Sequence, residues 1–109
     1  MDIEQKLRAS LLLEIYGKLL TEKQRDFMDL FVNDMSFAEI AENYDISPQA
    51  AYDLVARTVK VLEGYEQKLQ LLKKFNEVKA AIGTIIEKLE TSTGNDGIID
   101  RLNKVIKLL

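Results

Sequence analysis

Apolar side chains recur every three or four residues along most of the chain, which is the spacing of one face of an α-helix. Leu12, Ile15 and Leu19 form the first such face, with Leu7, Leu11 and Leu20 beside it. They predict an amphipathic helix over residues 3–20. No segment shows the alternation of apolar and polar residues that is typical of a strand. The pattern therefore predicts an all-α protein.

Capping residues mark the starts of three further helices. Thr21 with Gln24 and Ser36 with Glu39 fit the capping box, in which the hydroxyl accepts from an early amide and the longer side chain reaches back. Ser47-Pro48 is a preferred opening, because the amide that proline lacks has no partner in the first turn. The faces expected to be buried are Phe27, Leu30 and Phe31, then Ile40, Ala41 and Tyr44, and finally Ala51, Val55, Thr58, Leu62, Tyr65 and Leu69.

The C-terminal third predicts a helical hairpin. Its apolar positions Phe75, Val78, Ile82, Ile85 and Leu89 alternate spacings of three and four, as in a coiled-coil seam. Residues 91–97 have the composition of a loop, and residues 98–109 form the last helix. We expect this seam to close within the chain and its exposed remainder to form a homodimer. The predicted domains are 1–70 and 71–109, with a helix break near Gly64 or Leu71-Leu72.

The composition argues against catalysis. The chain of 109 residues contains neither histidine nor cysteine, which removes the commonest general base, metal ligand and nucleophilic thiol. The carboxylate pairs Glu39–Glu42 and Glu63–Glu66 are expected on helix surfaces, without the apolar enclosure that shifts a pKa. No glycine-rich phosphate loop or metal-ligand spacing is present. We therefore expect a non-enzymatic protein with no cofactor and no metal.

Targeting signals are also lacking in these residues. The N-terminus has no basic start followed by an apolar run, and the longest run of large apolar residues is Leu11-Leu12-Leu13. That run is far too short to span a bilayer. The expected location is the cytoplasm, with no integral membrane segment.

The charge is distributed unevenly. The net charge is −3, but residues 21–60 alone contain eight acidic and four basic side chains, a local net charge of −4. Phosphate neutralisation supplies most non-specific affinity for nucleic acid. The middle of the chain is therefore poorly suited to binding duplex DNA unless a partner supplies positive charge.

The segment from 36 to 62 has the layout of a helix-turn-helix, two helices joined by a short turn. Ala41 is small enough for the second helix to pack closely, and Ile46 is expected to fill the angle between the helices. Three strings carry a resemblance to a known module: Thr-Glu-Lys-Gln at 21–24, Ser-Phe-Ala-Glu-Ile-Ala-Glu at 36–42 and Ile-Ser-Pro-Gln-Ala-Ala-Tyr-Asp at 46–53. The chain resembles sigma factor region 4 and, more specifically, the YlxM family of bacterial helix-turn-helix proteins.

The resemblance implies a sigma region 4-like helix-turn-helix followed by a long helix and a C-terminal hairpin. It also implies a regulatory role linked to the signal recognition particle, with the particle's RNA or its GTPase as partner. The alternative is a transcriptional regulator that binds duplex DNA through the same motif. A module that contacts only proteins is a third possibility.

In a helix-turn-helix, the first residues of the second helix meet the edges of bases. The candidate binding residues are Ser47, Pro48, Gln49, Tyr52, Asp53, Arg57 and Lys60. Gln49 can bond adenine and Asp53 can accept from cytosine. Both are also ordinary solvated helix residues, whereas Tyr52 with Leu54 either contacts a protein or packs in the core against the N-terminal helix. The family commonly has arginine where this chain has Pro48, which leaves Arg57 and Lys60 to meet phosphates.

Overall fold

The computed structural model describes all residues from Met1 to Leu109 and confirms an all-α fold of six helices. The helices are α1 (Ile3–Tyr16), α2 (Glu22–Val32), α3 (Phe37–Tyr44), α4 (Pro48–Leu69), α5 (Leu71–Glu90) and α6 (Asp96–Leu108), and a 3₁₀ turn spans Gly17–Leu19. The chain divides into two compact units, Met1–Gln70 and Leu71–Leu109. None of the helices combines the length and apolar character needed to cross a membrane.

The predicted helix starts are confirmed in atomic detail. Thr21 and Gln24 form a complete capping box at α2, and Ser36 and Glu39 form one at α3. The Ser47 hydroxyl accepts from the Ala50 amide at 3.1 Å, with Pro48 in the first turn of α4. A further capping box at α1, between Asp2 and Gln5, escaped the sequence analysis.

The core of the first unit forms where α1, α2 and α3 pack against α4. The predicted inner face of α1 is correct only in part: Leu12 is buried and Ile15 is half-buried, but Leu7, Leu11 and Leu19 are exposed. The other buried residues of the helix are Ala9 and Tyr16. The helix has leucines on several of its sides, at positions 7, 11, 12 and 13, so the spacing of apolar residues alone could not identify the inner side. The remaining buried apolar side chains of this unit are Leu20, Phe27, Met28, Phe31, Ile40, Ala41, Ala51, Val55 and Leu62.

The turn of the helix-turn-helix joins α3 to α4 over three residues. Asp45 ends α3 in the left-handed conformation, with φ of 52°, and the Ile46 amide donates to the carbonyl of Ala41 at 3.1 Å. This is the hydrogen-bond pattern of a left-handed helix cap. Ala41 is 3% exposed, as expected for a small residue where two helices approach closely. Ile46 is half-buried in the turn.

The last turns of α4 depart from the predicted face. After Leu62 the buried residue is Glu66, whereas Tyr65 is half-buried and Leu69 is exposed. The helix passes through Gly64 without a break and ends at Leu69, where Gln70 takes a left-handed conformation with φ of 55°. Of the two predicted break points, Gly64 is therefore wrong and Leu71-Leu72 is confirmed, since α5 begins at Leu71.

The second unit is a hairpin in which α6 packs against α5. The loop is shorter than predicted, because Asp96 and Gly97 already belong to α6. Leu72 and Ile86 are the buried residues of α5, whereas Val78 and Ile85 of the predicted seam are 43% and 47% exposed. The seam therefore lies partly open, and α6 contains no buried residue.

Candidate nucleic-acid interface

Four of the candidate residues lie in one exposed row along α4. Gln49, Asp53, Arg57 and Lys60 are separated by four, four and three residues, which places them on one helix face. All four side chains are exposed, and the buried residues of α4 lie on the other side. We call these four residues the α4 row. It is the surface that a helix-turn-helix presents to a ligand.

Ser47 and Pro48 have structural roles at the start of α4. The Ser47 hydroxyl is engaged in the cap described above, and Pro48 offers no amide to a ligand. These two residues therefore position the α4 row, and their own capacity for polar contacts is limited.

Gln49 and Asp53, the two candidate base readers, are hydrogen-bonded to each other. The Gln49 side-chain amide donates to Asp53 Oδ1 at 3.1 Å. A base contact by either residue has to replace or share this bond. The pair therefore presents fewer unsatisfied groups than two independent side chains would.

Tyr52 belongs to a small group of aromatic rings. Its ring meets that of Phe37 edge-on, with centroids 5.2 Å apart, and Phe37 in turn stacks on Phe31 at 5.7 Å. Tyr52 is nevertheless 39% exposed. One side of the ring therefore packs on Phe37 of α3, and the other side remains accessible, so contact with a protein stays a prediction.

Arg57 and Lys60 are the cations of the α4 row. Neither forms an ion pair within the protein, whereas Arg8 pairs with Glu63 and Lys6 pairs with Asp34. The hydrogen bond to Glu63 raises the pKa of Arg8 and holds its guanidinium between α1 and α4. Arg57 and Lys60 therefore remain available to an anionic partner.

A cleft of about 190 Å³ adjoins the α4 row at Arg57. It lies between the start of α2 and the middle of α4 and is lined by Thr21, Lys23, Gln24, Phe27, Leu54, Arg57 and Thr58. None of the α2 residues was predicted at a binding site, since those that line the cleft precede Arg57 by thirty positions or more. The capping string at 21–24 was the only local signal. We call this feature the α2–α4 cleft.

The carboxylate Glu66 corrects an expectation of the sequence analysis. Its side chain is buried, and the Tyr16 hydroxyl donates to Glu66 Oε1 at 2.6 Å. A residue expected on a helix surface is thus enclosed, because α1 packs along this part of α4. Its partner in the proposed pair, Glu63, binds Arg8. The two carboxylates therefore act as separate links between α1 and α4.

Comparison with known proteins assigns the family. Residues 3–106 match the model of the helix-turn-helix family described as YlxM / p13 like. The YlxM protein of Bacillus subtilis is 40% identical over 109 residues, covering 99% of each chain. A relative from Clostridium kluyveri is 44% identical over 108 residues, covering 95% of this chain and 96% of its own. With a helix-turn-helix built from α3 and α4 and a family match over nearly its whole length, the chain belongs to the YlxM / p13-like family of helix-turn-helix proteins.

Proposed function

We propose that this protein is a non-enzymatic regulator of the signal recognition particle pathway, acting in the cytoplasm by binding the particle's RNA, alone or together with its GTPase. The observation that carries the proposal is the α4 row, in which two unpaired cations follow two polar side chains bonded to each other. The link to the particle rests on the resemblance of the helix-turn-helix strings to the YlxM family.

The composition of the α4 row favours RNA over duplex DNA. Reading the major groove depends on bidentate contacts from the first turns of the recognition helix. Here one amide hydrogen of Gln49 and one carboxylate oxygen of Asp53 are already engaged with each other, which disfavours bidentate contacts to a base. Double-stranded RNA is recognised mostly through its shape, 2′-hydroxyls and phosphates, which demands fewer base-edge contacts. A GTPase bound to the same RNA adds protein surface to the interface.

The test is a comparison of nucleic-acid partners by fluorescence anisotropy at two salt concentrations. We expect saturable binding to the particle's RNA, tightened by its GTPase, with random and promoter-derived duplex DNA failing to compete. The affinity for the particle's RNA should exceed the weak non-specific affinity for DNA, for which Kd is about 10⁻⁴ to 10⁻⁶ M. Failure to bind the RNA in either form would overturn the proposal.

The alternative function is that of a DNA-binding transcriptional regulator. It is favoured by one observation: α3, the turn and α4 expose the first turns of α4 as a DNA-reading helix-turn-helix does. Under this alternative, a particular duplex outcompetes the RNA, and replacing Gln49 with alanine abolishes the preference. That pair of results would establish the alternative in place of the first proposal.

The second unit supports a homodimer as the working form. A hairpin of two helices buries little, and here only Leu72 and Ile86 are buried. Two copies of such a hairpin form a four-helix bundle about a twofold axis, the commonest oligomer symmetry. The exposed apolar residues that remain are Val78, Ile85, Ile98, Val105 and Leu108.

Sedimentation equilibrium tests the dimer. We expect twice the monomer mass of 12.5 kDa for the parent protein and the monomer mass after Ile85→Lys with Val105→Lys, since buried unpaired charges disfavour such an interface. Leu7→Lys, on the exposed side of α1, is the control and should remain dimeric. A monomeric parent protein at high micromolar concentration would contradict the proposal.

A further inference from the structure

The α2–α4 cleft combines an apolar floor with a rim of hydrogen-bond donors. Phe27 is 2% exposed and Leu54 is half-buried, and both line the bottom of the cleft. The Thr58 hydroxyl is already engaged, since it donates to the Leu54 carbonyl at 2.9 Å. The Thr21 hydroxyl oxygen accepts from the Gln24 amide at 3.2 Å. The donors left for a ligand are therefore the Thr21 hydroxyl hydrogen and the side chains of Lys23, Gln24 and Arg57.

The donors on the rim come from two different helices. Lys23 and Arg57 stand on α2 and α4, and neither forms an ion pair in the protein. The Gln24 side-chain oxygen accepts from the Thr21 amide at 2.9 Å, which fixes the side chain and leaves its NH₂ group to donate elsewhere. Ammonium, guanidinium and amide NH₂ are all donors, so the rim selects a ligand that accepts.

The charge of the cleft is opposite to that of its surroundings. Residues 21–60 contain eight acidic and only four basic side chains, yet two of those four basic residues line the cleft and no acidic residue does. A third, Lys60, follows Arg57 by three residues on α4, about one helical turn away. Three of the four cations of this segment thus stand in and beside one cleft.

We propose that the α2–α4 cleft binds one phosphodiester group of an RNA strand, with Lys23 and Arg57 on the phosphate and the ribose against Leu54. The volume of about 190 Å³ is below the 300–1,000 Å³ of pockets that enclose drug-sized ligands, so it suits a single backbone unit. Arginine and lysine are the usual phosphate partners. This inference rests on the proposed RNA-binding function and identifies a contact outside the recognition helix.

A strand, rather than a free anion, accounts for the position of Lys60. Arg57, the third residue of the α4 row, lines the cleft, and Lys60 ends the row about one helical turn further along. A single phosphate in the cleft would leave Lys60 without a role. A chain of phosphates crosses from the cleft onto the α4 row and meets both cations.

The experiment is a titration of the full-length ¹⁵N-labelled protein, followed by NMR. The probes are a dinucleoside monophosphate, the corresponding nucleoside, inorganic phosphate and a hexaglutamate peptide, at equal ionic strength. We expect the dinucleoside monophosphate to shift the Gln24 side-chain amide and the backbone amides of 21–24 and 54–58, and the nucleoside to leave them unmoved. Lys23→Gln should weaken that binding by about threefold to fivefold, as for one exposed charge. Arg25→Gln, which removes a charge from the same helix outside the cleft, should not.

Three results would overturn the inference. Equal shifts from inorganic phosphate would indicate a free-anion site, equal shifts from hexaglutamate would indicate an acidic protein segment, and absence of shifts at the cleft would remove the site. The particle's RNA provides the independent readout. If it binds but Lys23→Gln and Arg25→Gln have identical affinities and salt slopes, the cleft inference fails and the proposed function stands. If the RNA does not bind but the dinucleoside monophosphate still shifts the cleft, the proposed function fails and the cleft stands.

Discussion

Replacing Phe27 with alanine is expected to lower the free energy of unfolding by about 3–5 kcal/mol, the usual cost of removing a buried aromatic ring. The ring is 2% exposed and meets that of Tyr44 edge-on, with centroids 6.3 Å apart. It therefore links α2 to the first helix of the helix-turn-helix. Burial, aided by the carboxylates of Asp26 and Asp29, raises the pKa of Tyr44 above that of a free phenol.

The measurement is chemical denaturation followed by circular dichroism, together with thermal melting. Small domains are stable by only about 5–15 kcal/mol, so a loss of this size should lower Tm by more than about 10 °C. Leu7→Ala is the control, because Leu7 is 60% exposed and its truncation should change stability by about 0.5 kcal/mol or less. Equal stabilities of Phe27→Ala and Leu7→Ala would contradict the packing described for α2.

The double replacement Arg57→Ala with Lys60→Ala should weaken binding to the particle's RNA by roughly tenfold to thirtyfold at low salt. Both side chains are exposed and lack ion pairs, so their removal should leave the fold intact and delete the two phosphate contacts proposed for them. The salt dependence is the sharper readout. Each lost phosphate contact lowers the slope of log K against log salt by about 0.7–0.9, so the double variant should lose about 1.5.

The matched control is Arg101→Ala with Lys104→Ala, which removes the same charge from exposed positions of α6. A general effect of net charge would weaken both double variants equally. Contacts at the α4 row would instead affect only the first of them. If RNA binding is unchanged in the Arg57 and Lys60 variant, the α4 row is not the RNA-binding surface and the RNA contacts lie elsewhere on the protein.

Local features of the chain were sufficient to predict the helix starts. A capping box is satisfied within four residues, so Thr21 with Gln24 and Ser36 with Glu39 could be recognised without tertiary information. The same holds for the Ser47-Pro48 opening of α4. The helix-turn-helix followed from these starts, together with a small residue at Ala41.

The inner faces of helices were predictable only where polar residues identified the outer face. In α2 and most of α4, charged residues alternate with apolar ones, and the predicted and observed faces largely coincide. In α1, leucines occupy every side, so the buried side depended on where α4 packs. Glu66 is the opposite case, a carboxylate placed inside because Tyr16 of α1 lies within hydrogen-bonding distance.

At the candidate interface, too, some features follow from the local sequence and others depend on the folded structure. Periodicity along one helix places Gln49, Asp53, Arg57 and Lys60 in a row, and this is a property of α4 alone. The hydrogen bond between Gln49 and Asp53 depends on rotamers, and the α2–α4 cleft depends on the approach of two helices distant in sequence. Lys23 and Arg57 therefore line the same cleft only because α2 packs against α4.

Helix type, helix starts, the helix-turn-helix and the absence of histidine and cysteine chemistry were all readable from the chain, because each depends on residue identity or on contacts within about one helical turn. The inner side of α1, the enclosure of Glu66 and the α2–α4 cleft required the folded structure. These features arise from contacts between α4 and residues that precede it by more than twenty positions. Such contacts are selected by packing of the whole unit, which local periodicity does not encode.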